Sequence, residues 1–491
     1  MSEFPAHPPS LHALDHSNNQ QTWQPILTEP FPFAPSSFLA ALEQMSQHPE
    51  HNTSWILRSD TLYDSTDPSS VPGDSDIRKI QTPGYAITRT LTRRFIPRNP
   101  QRDAYAEQTI HFLTGTDLSG EIRELIVYLN HCDTAEGTPY YLPKVRGVAW
   151  LLTPLEAGEE EGEGEERRKY KITLLYSLFT SPPDERLKRT ALHLLARATK
   201  LAAGIESGYI KRVHHDLVVK REGFQDRYLA LKAKHAARLV EGWRERTDPK
   251  KHVFEDILIA TFLVCLWEGM YPDKKGWVGF ADIGCGNGVL VDILIREGWS
   301  GCGFDLRARK SWGGFCEETQ AVLKERILVP FLLGDEAEEG DHDGRFQEGT
   351  FIISNHADEL TPWTPLLAAA NRCPFLAIPC CSHDLSGAKK RFPPPKELEG
   401  TEAKGDLRLN MNLSKSTYAS LCAYVEGIAK KCGWAVEREI LRIPSTRNLG
   451  IIGRKLVDEE VDIAEVLQSE GGGDGWRIAV AALKKKEAAG H

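Results

Sequence analysis

Three glycines at alternate positions constrain this chain more than any other feature. They lie in the segment 282–288, Asp-Ile-Gly-Cys-Gly-Asn-Gly, between an apolar run and an apolar-periodic stretch from Val289 to Arg296. Glycine lets the backbone turn sharply and approach a ligand without a clash at Cβ. The helix predicted for the following stretch would present free N–H groups and a positive dipole end to that ligand. The pattern therefore predicts a strand, a ligand-binding turn and a helix.

The spacing of these glycines separates the common ligands of such a turn. A dinucleotide fingerprint would need a third glycine where Val289 stands, and the Gly-Lys-Ser/Thr of a P-loop is missing. The pattern D-x-G-x-G-x-G is instead typical of class I methyltransferases, where the loop holds the methionyl end of S-adenosylmethionine. We therefore predict S-adenosylmethionine as the cofactor. The loop residues predicted to bind it are Asp282, Gly284, Cys285, Gly286 and Gly288.

Acidic residues accompany the next two apolar runs. Asp305 lies in the run 302–306, about 20 residues past the glycines, and Asp335 follows the run 328–333. An acidic side chain at the first place accepts hydrogen bonds from ribose hydroxyls, and one at the second place suits the adenine edge. The alternative is a plain strand–turn–helix with structural glycines. Acidic residues at successive strand ends favour cofactor binding, because ligands of open α/β sheets bind there.

From position 277 onward, short apolar runs alternate with stretches of helical periodicity. Such alternation argues for βαβ units and a parallel sheet covered on both faces. We therefore predict an α/β, class I (Rossmann-like) methyltransferase domain, preceded by an N-terminal α+β region. The predicted strands of its sheet are 277–283, 302–306, 328–333, 351–354 and 375–379. Later predicted elements are a helix at 414–432 and strands at 435–443, 450–455 and 476–483.

Composition divides the 491 residues into four parts. Residues 1–35, rich in Pro, Ser, His and Asn, are predicted to be a disordered tail. The other parts are the N-terminal α+β region at 36–245, the methyltransferase domain at 246–455, and a C-terminal strand and tail at 456–491. Within the second part we predict a Glu/Gly-rich solvated loop at 156–166 and amphipathic helices at 184–203 and 224–245.

Net charge, hydropathy and cysteine content limit the compartments and partners that this chain is predicted to have. A net charge of −9 argues against a uniformly basic surface for nucleic acid. No apolar run is long enough to cross a bilayer, and the N-terminus has no secretory pattern. The ten cysteines include no C-x-x-C pair, which favours free thiols in a reduced compartment. We therefore predict a cytoplasmic protein that does not enter a membrane.

The reacting groups are expected at the end of the fourth predicted strand, where the sequence reads Asn-His-Ala-Asp-Glu-Leu-Thr-Pro-Trp at 355–363. The Asn/Asp-Pro-Pro-aromatic pattern of nitrogen-methylating enzymes is absent, which favours a hydroxyl as acceptor. His356 or Asp358 is predicted to accept the hydroxyl proton, with Asn355 orienting the substrate. The alternative is that Asp358 or Thr361 caps the next helix and His356 is a turn residue.

A Cys-Cys-Ser-His segment follows the fifth predicted strand and invites a zinc assignment. Cys380 and Cys381 are adjacent, so their side chains would diverge on a strand, and no second ligand pair is evident. We therefore predict no metal and assign the segment to the wall of the active site.

A basic run at 77–102 is the best candidate for contact with nucleic acid. It contains seven Lys or Arg residues, no Asp or Glu, and interleaved Tyr85 and Phe95. Positive stretches with aromatic residues suit phosphate contact and base stacking. The alternative is a strand with a basic solvated face, with Ile87, Leu91 and Phe95 packed inward. The predicted RNA contacts are Arg89, Arg93, Arg94, Arg98 and, near the C-terminus, Arg447.

Several longer stretches carry a resemblance to a known family. They are RRFIPRNP at 93–100, FQDRY at 224–228, TDPKKHVFED at 247–256, NHADELTPW at 355–363, PCC at 379–381, IPSTRN at 443–448 and the glycine loop. On these stretches, spread over most of residues 80–455, the sequence resembles the eukaryotic tRNA (uracil-2′-O-)-methyltransferases that modify uridine 44 of serine tRNA. NHADELTPW and IPSTRN are the most specific of them. The Cys/His zinc finger that some relatives carry near the C-terminus is not visible.

The resemblance implies methylation of a ribose 2′-hydroxyl in cytoplasmic tRNA, with residues 36–245 helping to hold the tRNA. The residues alone support a methyltransferase of a hydroxyl, with RNA as a candidate substrate. One rival is a methyltransferase of a protein or small molecule, for which the basic run would have no partner. Another is a non-catalytic RNA-binding protein that keeps the cofactor fold. The sequence leaves the need for a protein partner open.

Overall fold

The computed structural model describes residues 12–14, 23–72, 77–116, 122–155, 170–180, 182–209, 215–334, 337–393 and 416–488. The chain divides into two compact units, Met1–Ile210 and Lys211–His491. Among the helices of these described ranges, none has both the length and the apolar character needed to cross a membrane.

The described part of the first unit is an antiparallel sheet with two long helices. Its strands are His12–Leu14 (β1), Trp23–Phe31 (β2), Ile56–Asp64 (β3), Lys79–Gln81 (β4), Tyr85–Pro97 (β5), Ala106–Thr116 (β6), Ile122–Asn130 (β7), Val145–Pro154 (β8) and Tyr170–Leu178 (β9). Seven of them form one sheet in the order β2-β9-β8-β7-β6-β5-β3, and β1 pairs with β4. The helices are Pro35–Gln47 (α1) and Glu185–Glu206 (α2).

Amphipathic periodicity explains why these two helices cover the sheet. In α2 the residues Leu187, Ala191, Leu195 and Ala198 are all buried, at the spacing that puts them on one helical face. The helix begins after Asp184, whose side chain accepts a hydrogen bond from the Leu187 N–H. Both helices contribute to one core cluster with side chains of the sheet.

The described part of the second unit is a seven-stranded, mostly parallel sheet with helices around it. Its strands are Phe280–Ile283 (β10), Gly301–Asp305 (β11), Leu323–Glu325 (β12), Phe351–Asn355 (β13), Phe375–Ile378 (β14), Trp434–Ile440 (β15) and Leu449–Leu456 (β16). Its helices are Arg221–Glu241 (α3), Pro249–Met270 (α4), Val289–Arg296 (α5), Glu317–Val322 (α6), Thr364–Ala370 (α7), Thr417–Lys431 (α8), Ile463–Ser469 (α9) and Asp474–Ala488 (α10).

The strand order of this second sheet is β12-β11-β10-β13-β14-β16-β15, and only β16 runs antiparallel to its neighbours. Phe351 and Ile353 of β13 pack into one core cluster while Ile352 packs into the other, so both faces of the sheet are buried. The chain changes direction across the sheet between β10 and β13. Ligands of open α/β sheets bind at such a switch point.

Two predicted domain boundaries differ from the structure. Strand β2 lies inside the segment 1–35 that composition assigns to a disordered tail, because Trp23 and Phe31 are buried in the first unit. Residues 1–11 and 15–22 lie outside the described residues. Helix α3 belongs to the second unit, so the boundary falls at 210/211 instead of 245/246.

Two predicted strands are wrong. The run 476–483 belongs to α10, where Trp476 and Val480 are buried four residues apart, a spacing that fits a helix. The run 328–333 is largely buried, but only Leu328 forms a bridge, to His342, and the third strand of the parallel sheet is β12. Asp335 and the predicted loop at 156–166 lie outside the described residues.

Candidate active site

The glycine loop connects β10 to α5 at the switch point of the sheet. Gly284, Gly286 and Gly288 have φ angles of +73°, +53° and +73°, which favour glycine. A Cβ on Gly284 would lie 3.0 Å from Ala357 Cβ, and one on Gly288 would lie 3.0 Å from Trp312 Nε1. A Cβ on Gly286 would meet no atom within 4 Å. The outer two glycines are therefore needed for packing, and the middle one faces open space.

Hydrogen bonds hold this loop against the neighbouring strand. The Gly286 N–H donates to Asp305 Oδ2 at 2.9 Å, and Trp312 Nε1 donates to the Gly286 carbonyl at 3.0 Å. The Cys285 N–H donates to the Phe304 carbonyl at 3.0 Å. The Cys285 thiol is buried in the core, and burial raises its pKa. Of the predicted loop residues, Cys285 can therefore offer a ligand only its backbone.

The loop opens onto a cleft of about 620 Å³. Its walls include Gly286, Asp305, His356, Asp358 and, from α10, Trp476. This volume lies in the range of sites for small molecules and cofactors. The cleft therefore brings three of the predicted cofactor residues, Gly284, Gly286 and Asp305, together with two of the predicted reacting residues.

Buried carboxylates lie behind the glycine loop. Asp282 is 1% exposed, and its Oδ1 has no hydrogen-bond partner. Burial, and then the charges of Asp256 and Asp305, raise the pKa of Asp282. Burial and the neighbouring Glu255 raise the pKa of Asp256 to about 7. Such a cluster is stabilised by a cationic ligand. S-adenosylmethionine carries a positive sulfonium and a positive ammonium group and fits this arrangement.

Asp256 also connects the two halves of the site. Its side chain is hydrogen-bonded to Asn287 of the glycine loop and to Asn355 at the end of β13, and both bonds lower its pKa. Asn355 Oδ1 has no partner of its own. A single buried carboxylate in α4 thus fixes the position of the cofactor loop relative to the predicted reaction site.

The segment after β13 adopts left-handed backbone at both predicted reacting residues, with φ of +53° at His356 and +45° at Asp358. His356 Nε2 lies 3.3 Å from Glu255 Oε1, and its Nδ1 is buried without a partner. Asp358 is exposed in the cleft and accepts a hydrogen bond from Cys380 Sγ at 3.1 Å. His and Asp tolerate this backbone better than most residues, and such conformations cluster at functional sites.

In the structure, neither Asp358 nor Thr361 caps the next helix. The short 3₁₀ helix Asp358–Trp363 begins after Ala357, and α7 begins after Trp363. Neither start has a side-chain cap. Helix capping therefore does not account for the polar groups of this segment.

Asp358, Cys380 and Cys381 lie close together, with one ligand atom of each within 4.8 Å of the others. The prediction that the two thiols diverge is wrong, because β14 ends at Ile378 and both cysteines lie beyond the strand. Burial raises the pKa of Cys380, and the hydrogen bond with Asp358 raises that of Cys381, so both thiols stay protonated near neutral pH. No fourth ligand joins them within the described ranges, whereas structural zinc takes four.

The structure removes Arg93 from the predicted RNA contacts. Its guanidinium is buried, donates to Gln108 Oε1 at 2.7 and 3.1 Å and to the Ser46 carbonyl, and has its pKa lowered by burial to about 10. Arg89 is paired at 2.6 Å with both Asp64 and Glu43. Its charge is therefore largely neutralised within the first unit.

The remaining predicted contacts are more accessible. Arg94 is half-exposed and paired with Glu107 at 2.6 Å. Arg98 is exposed, and its Nε donates to the Ser54 carbonyl at 2.9 Å. In the second unit, the Arg447 guanidinium lies 4.6 Å from the centre of the Tyr418 ring. Arg94 and Arg98 remain candidates for phosphate contact in the basic run.

Sequence reasoning missed Glu255, Asp256 and the contribution of α10 to the cleft. Glu255 and Asp256 end the stretch at 247–256 that is part of the family resemblance, so a signal for them was present in the sequence. Assigning 476–483 to a strand concealed the wall that Trp476 provides.

Comparisons with known proteins agree with the two units. A family described as "TRM44-like, N-terminal bet v1-like domain" matches residues 2–212, and one described as "Predicted AdoMet-dependent methyltransferase" matches residues 218–330. The crystal structure of Ara h 8.0201 covers 38% of this chain and 99% of its own at 7% identity, with a TM-score of 0.23, too low to support an inference.

Two curated relatives extend over nearly the whole chain. A tRNA (uracil-O(2)-)-methyltransferase of Neurospora crassa is 41% identical and aligns over 97% of this chain and 96% of its own. One of Yarrowia lipolytica is 38% identical over 92% of this chain and 94% of its own. With this identity over this length, the chain belongs to the tRNA (uracil-O(2)-)-methyltransferase family.

Proposed function

We propose that this protein is an enzyme that transfers a methyl group from S-adenosylmethionine to the ribose 2′-hydroxyl of a uridine in tRNA. The observation that carries the proposal is the cleft at the switch point. The glycine loop, Asp305 and Asp358 line this cleft, and the buried carboxylates of Asp256 and Asp282 lie behind the loop. The choice of the uridine 2′-hydroxyl as the methyl acceptor follows from membership of the tRNA (uracil-O(2)-)-methyltransferase family. The finer assignments, to position 44 of serine tRNA and to the cytoplasm, rest on the resemblance in sequence.

The sheet order supports assignment of the second unit to the class I, Rossmann-like methyltransferases. Strands β12, β11, β10, β13 and β14 correspond to the 3-2-1-4-5 order of a doubly wound sheet, with the ligand site at the reversal. The antiparallel strand β16 and, beyond it, β15 extend this core at one edge.

S-adenosylmethionine supplies an electrophilic methyl group on a positively charged sulfur. In the proposal, the backbone at Gly286 allows close approach of the cofactor, and Asp305 accepts hydrogen bonds from its ribose hydroxyls. A bound cationic cofactor favours the ionised form of Asp282, whose Oδ1 has no hydrogen-bond partner behind the loop. Holding acceptor and donor in line contributes much of the rate, because the reaction consumes positive charge instead of creating it.

Asp358 is the better placed of the two proposed proton acceptors. Its carboxylate is exposed in the cleft, where the Cys380 thiol donates to Oδ1 and the Cys381 thiol is also hydrogen-bonded to the carboxylate, and these bonds hold it in place. His356 has one ring nitrogen beside Glu255 and the other buried. We therefore assign proton acceptance to Asp358 and positioning of the loop to His356 and Glu255, with Asn355 orienting the ribose.

A direct test uses serine tRNA transcripts and nucleoside mass spectrometry. We expect 2′-O-methyluridine in a transcript with uridine at position 44, and none when that position carries 2′-deoxyuridine. Nucleosides of tRNA from cells with and without the gene should differ in the same modification. Methylation of the deoxy transcript would contradict the assignment of the 2′-hydroxyl as the acceptor. Absence of methylation of any tRNA would contradict the proposed function.

Replacing Asp305 by Ala is expected to weaken cofactor binding by roughly 5- to 150-fold, which corresponds to about 1–3 kcal/mol. The change removes the acceptor proposed for the ribose hydroxyls and leaves the Gly286 N–H without its partner. Titration calorimetry with S-adenosylmethionine measures the loss. Glu348→Ala, an exposed acidic residue outside the cleft, is the matched control. An affinity within twofold of the parent would remove Asp305 from the site.

The salt dependence of tRNA binding tests the remaining basic run. Changing Arg94 and Arg98 to Ala is expected to flatten the slope of log affinity against log salt by up to about two charge units. Arg93→Ala is the contrast, because this guanidinium is buried and should affect stability without changing the slope. An unchanged slope in the double variant would show that neither arginine contacts phosphate.

A further inference from the structure

The first unit exposes two large aromatic rings side by side, although half of its described aromatic residues are buried. Trp55 is 36% and Tyr140 is 58% exposed, and their ring centres lie 5.4 Å apart at an angle of 72°. The Arg102 guanidinium lies 4.7 Å from the centre of the Trp55 ring, and that of Arg186 lies 4.3 Å from the centre of the Tyr140 ring. Each ring is thus stacked with a cation.

Backbone contacts hold these groups in place. The Arg98 N–H donates to the Trp55 carbonyl at 2.8 Å, and its Nε donates to the neighbouring Ser54 carbonyl. Arg186, in the first turn of α2, donates from a terminal nitrogen to the Tyr140 carbonyl at 2.8 Å. We call Trp55, Arg98, Arg102, Tyr140 and Arg186 the aromatic–arginine surface. Unlike Arg89 and Arg94, its members Arg98 and Arg186 bond to carbonyl oxygens, which leaves their charge uncompensated by those contacts.

An open cleft of about 430 Å³ adjoins the two rings. Lys144, Arg189 and His193 line it together with Arg186. Of the described residues, Asp184 is the one carboxylate in its lining, and that side chain is engaged by the Leu187 N–H at 2.7 Å. Asp103 lies 3.6 Å from Arg102 at the edge. The cleft therefore has an excess of positive charge in a chain whose net charge is −9.

A smaller cavity of about 130 Å³ shares walls with this cleft, among them Asn52, Tyr141 and Thr190. Its inner lining includes Trp150 and the buried guanidinium of Arg93. The cleft therefore continues inward into a small cavity that is lined in part by aromatic side chains.

We infer that the aromatic–arginine surface binds unpaired nucleotides of the tRNA by stacking. Every base has a π face, so stacking on Trp55 and Tyr140 needs no particular sequence, and the arginines contribute both planar stacking and attraction to phosphate. The inference rests on the proposed function for its RNA. It also moves the main RNA contact of the first unit from the strand β5 to the loops that precede β3 and β8 and to the first turn of α2.

The test uses the full chain with a Trp55→Ala/Tyr140→Ala double variant. We expect its dissociation constant for tRNA, and its KM for tRNA, to rise by about 10- to 100-fold. The kcat at saturating tRNA and the affinity for S-adenosylmethionine should stay at the parental value. Tyr105→Ala is the matched control, because Tyr105 is 54% exposed in the same unit and does not line this cleft. A double variant that binds tRNA within twofold of this control would overturn the inference.

Photo-crosslinking of the unaltered chain to tRNA containing 4-thiouridine supplies a second measurement that does not depend on the folding of a variant. We expect crosslinked peptides that contain Trp55 or Tyr140. Crosslinks confined to other parts of the chain would overturn the inference while methylation of tRNA by the same preparation upholds the proposed function. Crosslinks at this surface without methylation of any tRNA would contradict the proposed function alone.

Discussion

An Asp358→Asn variant is expected to methylate tRNA about 10²- to 10⁴-fold more slowly than the parent, the usual cost of losing a positioned base. Asparagine keeps the size of the side chain, retains an oxygen for the Cys380 thiol and tolerates the left-handed backbone at this position. Only the charge and basicity of the carboxylate are lost. The reduction should therefore appear in the chemical step and not in folding or cofactor binding.

Single-turnover methylation at saturating S-adenosylmethionine and tRNA measures this step. His356→Asn is the comparison, because asparagine also tolerates the φ of +53° there. If His356 positions the loop through Glu255, this variant should raise KM. It should also lower kcat, by a smaller factor than Asp358→Asn does. Parental turnover in Asp358→Asn would remove the carboxylate as the proton acceptor. A larger loss in His356→Asn would transfer that role to the imidazole.

Local sequence patterns were sufficient to predict the elements whose conformation depends mainly on residues nearby in the sequence. The loop from Asp282 to Gly288 combines a buried strand, glycines at positive φ and a helix start, and all three leave a pattern within a few residues. The strands β13 and β14 were equally visible, because strands buried on both faces are continuous apolar runs.

Elements whose identity depends on packing were not predictable from the same patterns. The run 328–333 is apolar because it is buried, yet its backbone does not join the parallel ladder. The run 476–483 is short enough to fit either period, and only its packing on the sheet decides for a helix. A short apolar run reports burial, and burial alone does not determine secondary structure.

The site shows the same limit for charged residues. Arg93 looks like its neighbours in the basic run, but α1 places the Ser46 carbonyl against it and encloses its guanidinium. Asp256 comes from α4, before the glycine loop in sequence, and reaches both Asn287 and Asn355 only in the folded chain. Contacts between residues that are distant in sequence decide which charges are buried, and local sequence patterns do not reveal these contacts.

Asp256 should make the stability of the second unit depend on pH. Burial raises its pKa from 3.8 to about 7, so between these values the folded chain binds a proton that the unfolded chain has released. The contribution of Asp256 to stability is therefore complete below about pH 4 and is lost as the pH rises to about 7. The shift corresponds to about 4 kcal/mol at 1.36 kcal/mol per pH unit.

An Asp256→Asn variant isolates this effect, because asparagine cannot ionise and still forms hydrogen bonds. Burial lowers the pKa of histidines such as His342, and these residues destabilise the folded protein as the pH falls, which is the opposite direction. The quantity to compare is therefore the difference in stability between parent and variant. From pH 4 to pH 8 the variant should gain up to about 4 kcal/mol relative to the parent. Urea unfolding followed by tryptophan fluorescence measures the difference at each pH.

Cofactor affinity supplies the second half of the same test. A cation bound beside Asp256 and Asp282 favours their ionised forms, so the affinity of the parent for S-adenosylmethionine should rise with pH between about 6 and 8 and binding should release protons. In Asp256→Asn both the pH dependence and the proton release should decrease. Parallel profiles of parent and variant, in both stability and affinity, would mean that Asp256 does not titrate in this range and that the negative charge behind the loop comes from Asp282 and Asp305.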